Sequence, residues 1–226
     1  DAFAIIQDGI DAVVGSTVIV LRGKINENIE INQSLTLRST GSYEDTIIDG
    51  GANADVIDIR TLDGVTITID GFTMQNGNWY GIVTNGTLEN GSELTIQNCK
   101  IIDNDGEGIQ IGRGGEAVNN STITISDCYV NLNGTGGSGD GIDFNGDVVS
   151  GSTVTITGSD FNDNGQGAEP SDGDGIDFDD VVDSSVTIDN NNVLDNYGYG
   201  VHFDYVTTSS IEITDNSING NGWAGI

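Results

Sequence analysis

"SVTIDNNNVLDNYGYGVHF", residues 185–203, decides the fold. Val186 and Ile188 alternate with polar neighbours, which is the period of a strand. A turn rich in Asp and Asn follows, then a single apolar residue, Val193. Asn196 falls in the next turn, and Gly200-Val201-His202-Phe203 supplies another alternating pair. No part of the stretch has helical spacing. A unit of three short strands joined by turns cannot bury its apolar side alone. It can when copies stack and each strand pairs in parallel with its equivalent in the next copy.

The copies are present. Strands of the form apolar-x-Ile start at 67, 94, 123, 154, 186 and 211, so their separations are 27, 29, 31, 32 and 25 residues. Each is followed by one apolar residue: Met74, Ile101, Val130, Phe161, Val193, Ile218. An Asn comes next: Asn76, Asn104, Asn133, Asn164, Asn196, Asn221. Gly plus an apolar residue follows, from Gly81-Ile82 to Gly225-Ile226. A second inward position then reads Thr84, Ile111, Phe144, Phe178, Phe203. Periods of this length mark a solenoid. The units are too short for propeller blades and lack hairpin signals.

The expected architecture is therefore all-β: a single-stranded right-handed parallel β-helix of three-strand coils, as one domain over 1–226. Residues 65–226 form regular coils, and 16–64 form irregular first coils with strands near 17–21, 28–31, 35–38, 46–48 and 56–59. Over 1–15, Phe3, Ile6, Ile10 and Val13 recur at helical spacing, which predicts an N-terminal capping α-helix ended by Gly15. The inward columns become ladders, including a Phe144/Phe178/Phe203 stack. The Asn column bonds backbone groups from turn to turn.

Composition narrows the partners. The chain has 36 Asp+Glu against 6 Lys+Arg, a formal charge of −30, which excludes nucleic acid and anionic membrane surfaces. No apolar run is long enough for direct membrane insertion. The sequence begins at Asp1 rather than Met, which reads as a processed or trimmed chain. It stops in mid-coil after Trp223, so a continuing chain or self-association through the open C-terminal coil is expected.

The opening "AIIQDGIDAVVGSTVIVLRGKINENIEINQSLTLRSTGSYEDTIIDG", residues 4–50, resembles the right-handed β-helix proteins of the NosD-like, carbohydrate-binding and sugar-hydrolase (pectate-lyase-like) superfamily. Gly23, Glu27, Ile29, Leu35, Leu37, Thr46, Ile48, Asp49 and Gly50 keep the pattern, whereas Ser16 replaces its Asp and Ile25 its Tyr. The resemblance implies the fold and leaves function open, because the group spans surface-layer proteins, lyases, hydrolases and accessory proteins.

"GDGIDF" occurs at 139–144 and again at 173–178. In this register Ile142, Phe144, Ile176 and Phe178 point inward. Asp143 and Asp177 point outward from neighbouring rungs, roughly 4.7–4.9 Å apart, in a column running Val83, Gln110, Asp143, Asp177, His202. Asp140 and Asp174 stand just before the strands, and Asp179 and Asp204 lie two positions beyond the column. Asp140, Asp143, Asp174, Asp177, Asp179 and Asp204 thus form a candidate Ca²⁺ face, since Ca²⁺ takes six to eight oxygens in loose geometry. The plainer alternative is a solvated acidic face, with His202 an ordinary surface residue. Asp160, Asn162 and Asn164 in "DFNDNG" imitate half of an EF-hand loop, but coincide with the scaffold turn.

Cys99 and Cys128 share a column one rung apart, as a candidate disulfide or a buried thiol pair. Asn85, Asn90, Asn120 and Asn133 begin sequons and are candidate glycosylation sites. A column of Thr68, Thr95, Thr124, Thr155 and Thr187 is a minor candidate for a flat binding face.

The expectation is a non-enzymatic extracellular or cell-surface structural protein: a surface-layer, sheath, filament or adhesin component, stabilised by Ca²⁺ and contacting polysaccharide. The alternative is a Ca²⁺-dependent polysaccharide lyase or glycoside hydrolase. β-Helix polygalacturonases carry a Gly-His-Gly motif that is missing here. β-Helix lyases use a basic residue, and no Lys or Arg follows Arg113.

Overall fold

The computed structural model describes residues 3–60, 62–137, 139–165 and 173–226; the first two residues of the expected cap lie outside these. The chain winds into a parallel β-helix with three sheets, of eight, eight and nine strands, the ninth strand of the third sheet, Val201–Thr207, pairing with Ile176–Val182 beside the main path. Among the described residues every strand pairing is parallel. The first sheet stacks Thr66–Asp70, Glu93–Gln97, Thr122–Ser126, Thr153–Thr157, Ser185–Asp189 and Ser210–Thr214 in the expected register. In the third sheet Val83, Gln110, Asp143, Asp177 and His202 form one column.

Alternation explains the core. In Thr153–Thr157 the buried residues are Val154 and Ile156, and the threonines between them face solvent. Stacked coils turn such pairs into continuous apolar files from Ile6 to Val201. Phe144, Phe178 and Phe203 stack as expected, with ring centroids 4.2 and 4.8 Å apart and planes nearly parallel.

A side-chain ladder runs beside this core. The amides of Asn104, Asn133, Asn164 and Asn196 each donate to the Oδ1 of the next Asn, at 2.9–3.2 Å, ending on Asn221. The same oxygens accept the backbone N–H of the preceding rung. Buried turn N–H groups, which would be costly without partners, are satisfied this way. Asn76 does not belong to the ladder. In that coil Gly77 occupies the position, its N–H donating to Asn104 Oδ1 at 2.8 Å, while the Asn76 amide bonds Asp49.

From Ile82 onward, glycine precedes the first inward residue of each third-sheet coil, at Gly81, Gly108, Gly141, Gly175 and Gly200, because no Cβ fits there. A Cβ on Gly175 would lie 2.3 Å from Val193 Cγ1 and 2.6 Å from the Gly200 carbonyl oxygen. The glycines of both GDGIDF copies are thus scaffold.

The N-terminal helix is shorter than its spacing predicts. It covers Ile6–Asp11, with Ile6 and Ile10 buried against the first coil. Phe3 lies before it and is exposed. The Glu27 carboxylate caps the Ile6 and Gln7 N–H groups at 2.8 and 2.7 Å, fixing the first turn at Ile6. At the other end Val13 N–H turns back to Ile10 O with 3₁₀ spacing, so the helix closes before Gly15. Two sets of short strands escaped the sequence reading: Gly23–Asn26, which opens the second sheet, and Val118–Asn119 with Val148–Val149, which lengthen the third.

Candidate metal centre in an acidic cleft

Two adjacent columns of the third sheet build the site. The residue before each repeated glycine reads Glu107, Asp140, Asp174, Tyr199, and these stack, their carbonyls accepting from Gly81, Gly108, Gly141 and Gly175 N–H in turn. The neighbouring column supplies Gln110, Asp143, Asp177 and His202. Asp140, Asp174, Asp177, His202 and Asp204 line a cleft of about 410 Å³, overhung by Tyr199 and Trp223.

These acids are not a solvated face. Asp140, Asp143 and Asp174 are 8%, 8% and 5% exposed, which overturns that alternative for them. Each is held by a donor. Asp140 Oδ1 accepts the N–H groups of Gly173 and Asp174 at 2.9 and 2.6 Å. Asp174 Oδ1 accepts Tyr199 N–H at 2.6 Å. Asp143 Oδ2 accepts the Gln110 amide at 2.5 Å, and Asp177 Oδ1 meets His202 Nδ1 at 2.8 Å.

Burial, followed by the charges of Glu107 and Asp177, pushes the Asp143 carboxyl up to about 8. Asp140 is pushed well above the usual range by burial and then by Asp143, Asp174 and Asp177. Burial also raises Asp177 despite His202, and raises Asp179. Carboxylates arranged in this way hold a proton or recruit a cation.

Two ligand sets emerge. One is Glu107, Asp140 and Asp143; the other is Asp174, Asp177 and His202, and in each the ligating atoms lie within 4.8 Å of one another. Asp143 and Asp177, neighbours in one column, fall in different sets. Asp179 is half-buried and Asp204 exposed, and both stand at the rim outside the two sets. Glu107 was missed as a site residue, although its place before Gly108 matches that of Asp140 and Asp174 before Gly141 and Gly175.

The remaining candidates separate cleanly. Asp160 bonds the Asn192 amide, Asn162 bonds Leu194 N–H and Asn164 is in the ladder, so the EF-hand-like stretch converges on nothing. Cys99 and Cys128 are buried thiols on successive rungs, their Sγ atoms donating to Gln97 O and Ser126 O; burial pushes the Cys128 thiol well up. Asn90 and Asn120 are exposed at turn tips and Asn85 is half-buried. Asn133 is a correction: it is fully buried in the ladder, with its amide committed to Ile101 O, Asn131 O and Asn164 Oδ1, and cannot carry a glycan in the folded chain.

The family model described as "right handed beta helix region" matches residues 28–182 and, in an overlapping placement, 61–226. The chain belongs to the right-handed β-helix family. A solved structure resembling this β-helix protein is the crystal structure of pectate lyase Pel9A, 14% identical over 96% of this chain and 74% of that one, with a TM-score of 0.46. Among curated proteins, none matches this β-helix chain.

Proposed function

We propose that this β-helix is a non-enzymatic extracellular or cell-surface structural protein whose coils are locked by Ca²⁺ in the acidic cleft. The observation that carries the reading is the convergence of Glu107, Asp140 and Asp143, two of them buried, with Asp140 also lining a cleft that has no Lys or Arg on its wall. Buried like charges are costly unless a proton or a cation intervenes. An all-oxygen set, with turn carbonyls and water completing the shell, suits Ca²⁺. Because the ligands come from successive coils, the ion ties rung to rung. The test is calorimetric melting in chelator, then with Ca²⁺ restored. A melting point unchanged by either step overturns the proposal.

A second reading, a Ca²⁺-dependent polysaccharide lyase or glycoside hydrolase, is favoured by the aromatic wall of the same cleft. Tyr199 and Trp223 meet edge to face at 5.1 Å above carboxyls whose pKa values are raised, a combination suited to sugar stacking and proton transfer. Release of reducing ends or unsaturated products from polysaccharides, lost in Asp177→Asn with melting unchanged, would decide for the enzyme. On the structural reading polysaccharide is bound at this wall and left intact.

A further inference from the structure

We propose that Asp174, Asp177 and His202 form a second metal site, for a borderline divalent transition metal of the Zn²⁺ class, distinct from the all-oxygen set one rung below. Its basis is geometric. His202 Nδ1 lies 2.8 Å from Asp177 Oδ1 and 3.7 Å from Asp174 Oδ2. Ligands about 2.0–2.1 Å from a tetrahedral Zn²⁺ stand roughly 3.3 Å from one another. The two separations from the imidazole bracket that value, and all three ligating atoms lie within 4.8 Å of one another.

The ligands are preset from outside the set. Tyr199 does this twice: its N–H fixes Asp174 Oδ1 at 2.6 Å, and its ring stacks on the imidazole at 4.6 Å with planes 9° apart. Trp223 buttresses Tyr199 edge-on. The far ring nitrogen, Nε2, lies 3.6 Å from Asp204 Oδ1. A carboxylate beyond the distal nitrogen is the usual companion of a ligating histidine, and at hydrogen-bond distance it fixes the tautomer that leaves the other nitrogen free for metal; Asp204 has to close by about half an ångström to do so. Three protein ligands leave a position open, and the set opens on the cleft.

Donor chemistry separates the two sets. Imidazole suits Zn²⁺, Ni²⁺ or Cu²⁺, whereas carboxylates alone suit Ca²⁺, Mg²⁺ or Mn²⁺. Sequence shows where the distinction arises. The rung that follows the GDGIDF copies is Gly200-Val201-His202-Phe203, with His where they carry Asp143 and Asp177. The second site does not rest on the Ca²⁺ proposal, and each can fail alone.

The chain has one histidine, so its ring NMR signals report on His202 without any substitution. Metal-free protein titrated with ZnCl₂ should shift those signals at one equivalent, with Nδ1 as the coordinated nitrogen. Calorimetric Zn²⁺ affinity should fall at least 100-fold in His202→Asn, while Ca²⁺ affinity is unchanged. Glu107→Gln should do the reverse. Ring signals that ignore Zn²⁺, or equal Zn²⁺ affinity in folded His202→Asn, would reduce Asp177 and His202 to an ion pair and overturn the site. Loss of Ca²⁺ binding with Zn²⁺ binding intact removes only the structural-Ca²⁺ reading.

Discussion

Asp143 and Asp177 stand in register on adjacent parallel strands, yet each turns to a different partner: Asp143 to Gln110, Asp177 to His202. The repeat places them side by side, and the coils on either side assign them to different ligand sets. Asp143 is the more buried and bears the larger penalty. Asp143→Asn keeps the Gln110 contact and removes a charge beside Glu107 and Asp177. In chelator at alkaline pH this variant should melt higher than the parent by several degrees. With Ca²⁺ the order should invert, because the parent gains an ion that the variant lacks. Differential scanning calorimetry at about pH 9 measures both. A variant that melts lower in chelator and still gains from Ca²⁺ contradicts the assignment.

Two groups give stability opposite pH slopes in the metal-free protein. Asp143 has an ordinary value of 3.8 and sits at about 8 when folded. The folded state keeps a proton that the unfolded state releases, so stability is full below 3.8 and is lost as pH rises through 8. Asp140, Asp177 and Asp179 add in the same direction. Asp49 runs the other way. Burial raises it, but hydrogen bonds from Lys24, Gln75, Asn76 and Gly51 outweigh that and hold it at about 2. Its contribution is present above 3.8 and is lost as pH falls toward 2. Chelated protein should therefore be most stable at mildly acidic pH, and saturating Ca²⁺ should flatten the alkaline limb. Urea midpoints from pH 2 to 9 test this. Greater stability of the chelated protein at pH 8.5 than at pH 5 would contradict it.

The fold was legible because the coil repeats one constraint many times. Val186-x-Ile188 and its equivalents alternate with period two, and Phe144, Phe178 and Phe203 fall at one phase of the repeat. The column through Asp143, Asp177 and His202 followed directly. Burial did not. Outward residues look solvated in sequence, but Asp140 and Asp174 bend back to N–H groups of the next rung, and Tyr199 and Trp223 roof them. Overhang depends on turn geometry, which the strand pattern does not encode. The first helix is shorter than its spacing predicts for a related reason. Its length is set by Glu27, a residue from another coil, rather than by its own spacing. Asn76 matches the ladder in sequence as the first Asn after the strand, but stands one residue short of the position Gly77 fills.

The asparagine ladder makes a sharp mutational forecast. Asn164 is 1% exposed and donates to Val130 O at 2.9 Å and Asn196 Oδ1 at 3.0 Å, while its oxygen accepts from Asn133. Asn164→Ala removes these bonds and strands buried donors and acceptors above and below, at a cost of about 2–4 kcal/mol. Asn164→Asp keeps the acceptor, loses the donor and buries a charge, so it should cost at least as much. Thr155→Ala, on the half-exposed face of the first sheet, should stay within about 0.5 kcal/mol. Chemical denaturation of the three variants measures the contrast. Equal effects at Asn164 and Thr155 would show that the ladder adds nothing beyond the strand pairing.

Phe178 lies between Phe144 and Phe203 and is fully buried. Truncation to Ala leaves a cavity bounded by parallel sheets that are pinned by hydrogen bonds on both sides, so collapse is limited. The loss should therefore reach about 3–5 kcal/mol, the usual range for a buried Phe. Phe178→Leu refills most of the volume and loses the ring-on-ring contacts, worth about 0.5–1.5 kcal/mol beyond area burial, so it should fall well short of the Ala variant. Because Asp177 and Asp179 flank Phe178 on the same strand, repacking there also moves the ligand set that contains Asp177. Phe178→Ala should thus weaken metal binding under conditions where it remains folded, whereas Phe161→Ala, a buried Phe of the second sheet, should cost similar stability and leave metal affinity alone. Parallel denaturation and calorimetric titration of the two Ala variants separate the effects. Equal metal affinities would mean that the cleft is positioned by its turns alone.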